Sequence, residues 1–124
     1  MELTVLPQPF TVCQLAGLEG VDWEGEPCFV SKTGQEISLV CPTGRAPEET
    51  LAREDGWRGF RIEGVLSFAL VGILAEISFL LAEEGISIFA LSTYNTDYIL
   101  TKSEQFPAAL QALGEAGYQI REGV

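Results

Sequence analysis

Two short stretches carry residue types that could bind a small zwitterion. The first consists of Leu70, Val71, Gly72 and Ile73, a glycine turn before a predicted helix. Backbone N–H groups at such a turn point towards a ligand and favour a negative charge. The second is the polar stretch 92–97, where Asp97 supplies a carboxylate that can hold an ammonium group. A ligand that carries both a carboxylate and an ammonium group would match these two stretches.

Hydrophobic periodicity predicts the elements that would position these residues. Between residues 73 and 84 the apolar side chains recur at three- and four-residue spacings, which is typical of a helix with one buried face, and Gly85 then suits the end of that helix. The members of this stripe are Ile73, Leu74, Ile77, Leu80 and Leu81. Residues 86–89 and 98–100 read as two strands of a hairpin around the polar stretch.

The remaining C-terminal elements complete a regular order. The apolar stripe of a second helix is formed by Phe106, Ala109, Leu110 and Leu113, and residues 118–121 form a last strand. From Trp57 onward the predicted order is strand, helix, strand, strand, helix, strand. With right-handed crossovers this order predicts an α+β fold, with a four-stranded antiparallel sheet covered on one face by two helices.

The first half of the chain, residues 1–56, is predicted to be rich in β-structure. Residues 2–6 and 10–15 read as a bent edge strand interrupted by Pro7 and Pro9. Residues 28–31 and 36–41 form a hairpin around Gly34, and a short helix is predicted to begin at Pro47 and to end by Gly56. We interpret this half as a truncated second unit beside a C-terminal domain of residues 57–124. The alternative is an N-terminal extension that merely covers the sheet.

Composition excludes several classes of function. The sequence has no histidine, so it lacks the commonest metal ligand and general base, and we predict no metal, no cofactor and no catalytic residue. The exposed Glu76 and Glu83 have no evident catalytic partner. A net charge of -11 with only 7 Lys and Arg argues against nucleic acid and anionic membranes. Three cysteines without a Cys-x-x-Cys spacing indicate buried thiols rather than a disulfide framework.

The N-terminus lacks the features of a targeting segment. Glu2 places an acid at the second position, and Pro7 and Pro9 break the first apolar run. The longest apolar run, residues 65–75, is too short to cross a bilayer. We therefore expect a cytoplasmic protein.

Three segments give the chain a family resemblance. Residues 72–77 (GILAEI), 81–88 (LAEEGISI) and 92–100 (STYNTDYIL) resemble the ACT domain, a small-molecule regulatory module of amino acid metabolism. Within this family the sequence resembles more closely the subgroup found in aspartate kinase regulatory regions and animal cytosolic arginine sensors, whose strands carry a Ser-Thr-aromatic-x-x-Asp turn. The resemblance covers the second half of the chain and implies a ferredoxin-like βαββαβ fold from about residue 57, with a truncated ACT-like N-terminal half.

The resemblance also implies a mode of binding. In the similar sensors the aspartate of the turn holds the amino group of the ligand, and the loop before the helix closes over it from a neighbouring ACT unit. Transferred to this sequence, the implied contacts are Asp97, Thr93, Tyr94 and Asn95. The arginine sensors have an acid just before the glycine, and here that position is Leu70, flanked by Ala69 and Val71. A cationic group would lack a partner there, so a neutral or apolar amino acid, or no ligand, fits better.

Two functional hypotheses follow. The first is a non-catalytic regulatory protein that binds an amino acid between ACT units of a homodimer. The second is a ligand-free ACT-like dimer that assembles with, or regulates, a partner enzyme. The second hypothesis treats Asn95 and Asp97 as turn-forming residues, Gly72 as a tight corner, and Tyr94 and Tyr98 as sheet packing. Phe79 lies on the helix face opposite the apolar stripe and is a candidate contact, either between subunits or with the N-terminal half.

Overall fold

A computed structural model describes residues 1–63 and 72–123 of the chain. The chain divides into two compact units. Unit 1 comprises Met1–Pro7 and Arg58–Val124, and unit 2 comprises Gln8–Trp57.

Eight strands and two helices make up the described chain. In order they are β1 (Glu2–Val5), β2 (Phe10–Leu15), β3 (Phe29–Lys32), β4 (Ile37–Pro42), β5 (Ala52–Ile62), α1 (Ile73–Glu83), β6 (Phe89–Ser92), β7 (Asp97–Lys102), α2 (Phe106–Glu115) and β8 (Gln119–Glu122). Short 3-10 turns at Thr43–Arg45 and Ser103–Gln105 follow β4 and β7. The βαββαβ order and the α+β, ferredoxin-like fold are confirmed. The six elements are the last part of β5, followed by α1, β6, β7, α2 and β8.

The sheet of unit 1 contains one strand more than the sequence predicted. Its order is β6-β7-β5-β1-β8, so β1 lies between β5 and β8 and is not part of an edge strand. β1 pairs antiparallel with β5, where Leu3 is opposite Ile62, and parallel with β8, where Leu3 is opposite Ile120. Leu3 and Val5 are buried at 0% and 1% exposure. Their alternation with the half-buried Glu2 and Thr4 is typical of a strand that is covered on one face.

Both helices of unit 1 bury the stripes that their sequences predicted. Ile77 and Leu81 of α1 and Ala109 and Leu113 of α2 are fully buried. They belong to one cluster with sheet residues that include Leu3, Val5, Phe60, Ile62 and Ile99. Removing each of the large side chains from water stabilises the fold by about 1.5–3 kcal/mol. This packing fixes the start of α1 against the sheet.

Unit 2 is an antiparallel sheet in the order β3-β4-β2-β5. One face carries a small core of Cys13, Leu15, Val21, Leu39 and Cys41. The helix predicted from Pro47 is wrong: residues 46–51 form no helix, and β5 already begins at Ala52. The physical reason is that Leu51 is 66% exposed and its N–H donates to the Gln14 carbonyl at 2.8 Å, so the backbone is drawn into pairing with β2.

Candidate functional site

The glycine turn lies at the start of α1. Gly72 has φ +96°, in the left-handed region that favours glycine, and its carbonyl accepts the first helical hydrogen bond from the Glu76 N–H at 2.8 Å. The N–H groups of the three residues after Gly72 precede that first bonded turn and have no helical acceptor. Leu70 and Val71, which were predicted to continue this site, lie outside the described residues.

Ile73 borders a cavity of about 260 Å³ within unit 1. The other lining residues are Met1, Glu76, Ala116, Gly117 and Tyr118. The Tyr118 hydroxyl donates a hydrogen bond to Glu76 Oε1 at 2.6 Å. Burial, together with this bond to a carboxylate, raises the pKa of Tyr118 to about 12, so the phenol stays protonated at neutral pH. The carboxylate in the first turn of α1 therefore has a partner within the chain.

The polar stretch forms the tight turn between β6 and β7. The Thr93 N–H donates to the Thr96 carbonyl at 2.9 Å, and the Thr93 hydroxyl donates to the same carbonyl at 3.0 Å. That hydroxyl also accepts from the Thr96 N–H at 3.3 Å. Tyr94 is 81% exposed and Asn95 is exposed beside it. The Thr93 side chain is thus engaged in the turn, whereas Tyr94 and Asn95 project at the surface.

Asp97 begins β7 directly after this turn. It is paired with Ser92 across the hairpin, and the Ser92 hydroxyl donates to Asp97 Oδ1 at 2.6 Å. The side chain is partly buried, so one carboxylate oxygen is fixed while the group stays near the surface. A carboxylate held in this way is oriented to accept a further charge-assisted hydrogen bond.

The two groups of predicted residues lie at the same end of the unit 1 sheet. Thr96 is buried, and its hydroxyl donates to the carbonyl of Ile62, the last residue of β5, at 2.8 Å. The start of α1 is tied to that same end through the bond from Tyr118 to Glu76, because Tyr118 directly precedes β8. The first residues of β8 and β1 lie opposite one another, next to the end of β5. The helix start and the hairpin turn are therefore both held at the C-terminal end of β5.

Sequence reasoning missed three residues that hold this arrangement together. Thr96 fixes the turn to β5, Ser92 orients Asp97, and Tyr118 engages Glu76. A threonine between Asn95 and Asp97 was the available signal for the first of these. The partners of Thr96 and Tyr118 are far away in sequence, so no local pattern identifies them.

The turn between β3 and β4 has the same hydrogen bonds as the turn between β6 and β7. The Thr33 N–H donates to the Glu36 carbonyl at 2.9 Å, and the Glu36 N–H donates to the Thr33 hydroxyl at 3.2 Å. Residue numbers in the two hairpins differ by 60 throughout, since β3 (Phe29–Lys32) matches β6 (Phe89–Ser92) and the following strands and 3-10 turns match likewise. The position equivalent to Asp97 is Ile37. The turn therefore forms without an aspartate at this position.

Unit 2 has a larger cavity, of about 540 Å³. It is lined by residues 15–17, 19, 20 and 47–51, which include three acids, Glu19, Glu48 and Glu49, and no basic residue. Such a surface offers no cationic side chain to the carboxylate of an amino acid. Within residues 1–63 and 72–123, no group of three or more Cys, Asp and Glu side chains is arranged to bind a metal ion. In the same residues neither helix has the length and hydropathy to span a membrane.

Known proteins share both the sequence pattern and the fold. A sequence model of the ACT domain family matches residues 52–115. A crystal structure of an Agrobacterium tumefaciens protein, 26% identical, superposes with a TM-score of 0.87 over 99% of this chain and 93% of that one. The ligand-free regulatory subunit of Thermus thermophilus aspartate kinase, 13% identical, has a TM-score of 0.68 over 94% of this chain and 97% of that one.

A whole enzyme also contains this fold. The aspartate kinase from Synechocystis, 15% identical, superposes with a TM-score of 0.73 over 99% of this chain but only 28% of the kinase. No curated protein sequence matches the chain. The family model covers more than half of the chain and includes both Gly72 and Asp97. The chain therefore belongs to the ACT domain family, and its fold is similar to that of the regulatory subunit of Thermus thermophilus aspartate kinase.

Proposed function

We propose that this chain is a non-catalytic regulatory protein that binds a neutral amino acid between ACT units of two neighbouring chains. In this proposal the helix start at Gly72 and Ile73 of one chain holds the ligand carboxylate. Asp97 of the other chain holds the ammonium group, with Thr93, Tyr94 and Asn95 bordering the site. Leu70 and Val71 also belong to the site predicted from the sequence and lie outside the described residues.

The observation that carries the proposal is the difference between the two matching hairpins. The Thr33 turn closes with the same backbone and hydroxyl bonds as the Thr93 turn, although Ile37 stands where the second hairpin has Asp97. Turn formation therefore does not account for a carboxylate at that position. A binding role does account for it, because Asp97 begins β7 at the sheet end where α1 starts.

Charge and chemistry favour a ligand with one positive group. Glu76, the acid in the first turn of α1, already accepts the Tyr118 hydroxyl, which leaves Asp97 to match one ammonium. The positive end of the α1 dipole suits one carboxylate. Ile73 at the helix start is apolar, and the sequence before Gly72 has the apolar residues Leu70 and Val71, so this stretch supplies no partner for a second cation.

A second candidate function is a ligand-free dimer that assembles with a partner enzyme. Two observations favour it: Asp97 already has the Ser92 hydroxyl as a partner, and Phe79 is 62% exposed on α1, on the side away from the buried Ile77 and Leu81. An exposed aromatic side chain flanked by the exposed Ala75 and Ala82 is suited to contact another protein.

Calorimetric titration of the full chain with a panel of neutral amino acids tests the first proposal. Asp97→Ala should abolish binding, because the ammonium loses its only counter-charge. The matched control is Glu83→Ala, which removes the same charge from an exposed position of α1 and should leave the affinity unchanged. Ser92→Ala separates the two roles of Asp97: it removes the hydrogen bond within the hairpin but keeps the carboxylate, so binding should persist.

The results divide the two candidates. Ligand binding is supported if a neutral amino acid produces heat with the unmodified chain and with Glu83→Ala but not with Asp97→Ala. If no amino acid in the panel produces heat or a thermal shift with the unmodified chain, ligand binding is refuted. Loss of dimerisation in Phe79→Ser, in that case, supports the ligand-free assembly.

A further inference from the structure

Three cysteines gather in the core of unit 2, and the proposed function uses none of them. Cys13 and Cys41 are buried, Cys28 is partly exposed, and all three are free thiols. Cys13 and Cys41 belong to the same core cluster, and Cys28 packs against it. The strand registers determine which two of these thiols can be joined.

The register of β3 and β4, continued by one position, brings Cys28 opposite Cys41. Phe29, the first residue of β3, is opposite Val40, and Val30 is opposite Leu39. Cys28 directly precedes β3, so the extrapolated partner of Cys28 is Cys41. Val30, Leu39 and both cysteines contribute to the same core cluster. Alternate residues of a strand face the same side, so the two thiols share one face of the sheet.

The hydrogen-bond pattern gives the spacing of this pair. The bond from the Thr33 N–H to the Glu36 carbonyl makes 33/36 a hydrogen-bonded pair. Bonded and non-bonded pairs alternate in an antiparallel ladder, so pairs 31/38 and 29/40 are bonded, whereas 30/39 and 28/41 are not. Opposite residues at a non-bonded position have Cα atoms about 4.5 Å apart. This separation is within the range of roughly 4.4–6.8 Å that a disulfide spans.

Cys13 is excluded from the same bond by its register. In the pairing of β2 with β4, Thr11 is opposite Cys41 and Cys13 is opposite Leu39. Cys13 and Cys41 are therefore diagonal neighbours, about 7–8 Å apart. Cysteines with Cα atoms more than about 7 Å apart cannot be bridged without movement of the backbone.

We propose that Cys28 and Cys41 are a redox pair that forms a reversible disulfide when the protein meets a peroxide. The partly exposed Cys28 reacts first: its thiolate sulfur attacks one oxygen of hydrogen peroxide, giving a sulfenic acid and hydroxide, which takes up a proton to become water. The sulfur of Cys41 then attacks the Cys28 sulfur, and a second water leaves. Two thiols are oxidised and one peroxide is reduced. A dithiol reductant restores both thiols.

The disulfide would tie β3, an edge strand of unit 2, to β4. Burial raises the pKa of the Cys28 thiol, and it raises that of Cys41 to about 11. Few thiolates are thus present at neutral pH, and oxidation should accelerate as the pH rises. Closing this loop restricts the unfolded chain, so the oxidised form should resist denaturant better than the reduced form.

Mass spectrometry of the full chain after hydrogen peroxide treatment tests the pair. The expected result is a loss of about 2 Da that dithiothreitol reverses, with a Cys28–Cys41 cross-link in the non-reduced digest. Cys28→Ser should prevent the loss. Cys13→Ser is the matched control and should still show the reversible loss of mass. The comparison of these two variants keeps the test decisive even if Cys41→Ser destabilises the buried core.

Unfolding supplies a second readout. Trp23 and Trp57 are the only two tryptophans and both lie in unit 2, so their fluorescence follows this unit. The urea midpoint of the oxidised chain should exceed that of the reduced chain, and Cys28→Ser should remove the difference. Three outcomes would overturn the proposal: no reversible mass loss, a cross-link through Cys13, or only disulfides between chains. None of these measurements involves an amino acid ligand, so the result is independent of the proposed function.

Discussion

Replacing Thr96 with valine should weaken unit 1 at the proposed site while preserving the shape of the side chain. The Thr96 hydroxyl donates to the Ile62 carbonyl at 2.8 Å, and Thr96 is only 8% exposed. Valine has no hydroxyl group, so the buried Ile62 carbonyl loses this hydrogen bond. The cost of such an unsatisfied group is about 1–3 kcal/mol. We therefore expect Thr96→Val to reduce the free energy of unfolding by about 2 kcal/mol.

Urea denaturation followed by far-ultraviolet circular dichroism measures this change, because α1 and α2 both belong to unit 1. With a slope of roughly 1.5–2 kcal/mol per molar urea, a loss of about 2 kcal/mol lowers the midpoint by roughly 1 M. The control is Thr96→Ser, which keeps the hydroxyl and loses one methyl group, and it should cost about 1 kcal/mol or less. Amino acid binding should weaken in the valine variant alone, since Thr96 positions the neighbouring Asp97.

Equal midpoints for the valine and serine variants would refute this reasoning. Such a result would mean that the hydroxyl contributes nothing and that packing alone holds the turn against β5. A valine variant with a lowered midpoint and unchanged binding would refute the positioning role while leaving the energetic role intact.

Three further predictions concern single groups. Gly72→Ala should destabilise unit 1 by about 1–2 kcal/mol, because φ +96° strains any side chain even though none of the described residues crowds this position. Gly114→Ala in α2 should be neutral or stabilising, as measured by circular dichroism. Tyr118 should titrate near pH 12 by ultraviolet absorbance. Its pKa is raised in the folded state, so its contribution to stability is complete below pH 10, falls between pH 10 and 12, and disappears in Tyr118→Phe. The pKa of Asp55 is lowered by hydrogen bonds from Thr11 and, to a smaller extent, from Arg53. The contribution of Asp55 to stability is therefore lost as the pH falls through that lowered pKa. In Thr11→Val the Asp55 carboxyl should titrate at a higher pH, as measured by NMR.

Local patterns predicted the parts of unit 1 whose contacts are local. The stripes of α1 and α2 follow from three- and four-residue spacing, and the hairpin follows from two apolar runs around a polar turn. Gly72 was predicted to make the turn before a helix, and its positive φ confirms that a glycine is needed there. Each of these features depends on residues within one or two turns of chain.

Pairing between distant strands could not be predicted in the same way. β1 joins β5 across more than fifty residues of chain, and nothing within Glu2–Val5 specifies that partner. The short run after Pro47 has acids in the places favoured by a helix start, yet the ladder with β2 determines its conformation. The same limit applies to the site. Thr96 bonds to Ile62, which is 34 positions away in the sequence, and Tyr118 bonds to Glu76, which is 42 positions away.

The two hairpins also bear on how many ligands one chain should bind. Unit 2 repeats the strands, the threonine-closed turn and the 3-10 turn of unit 1, but residues 16–28 replace the equivalent of α1. It therefore has no helix start to hold a carboxylate, and Ile37 in place of Asp97 removes the partner for an ammonium. Both halves of the proposed site are missing from unit 2 and present in unit 1. The expected stoichiometry in calorimetry is one amino acid per chain, and two equivalent sites per chain would contradict the assignment of binding to Gly72 and Asp97.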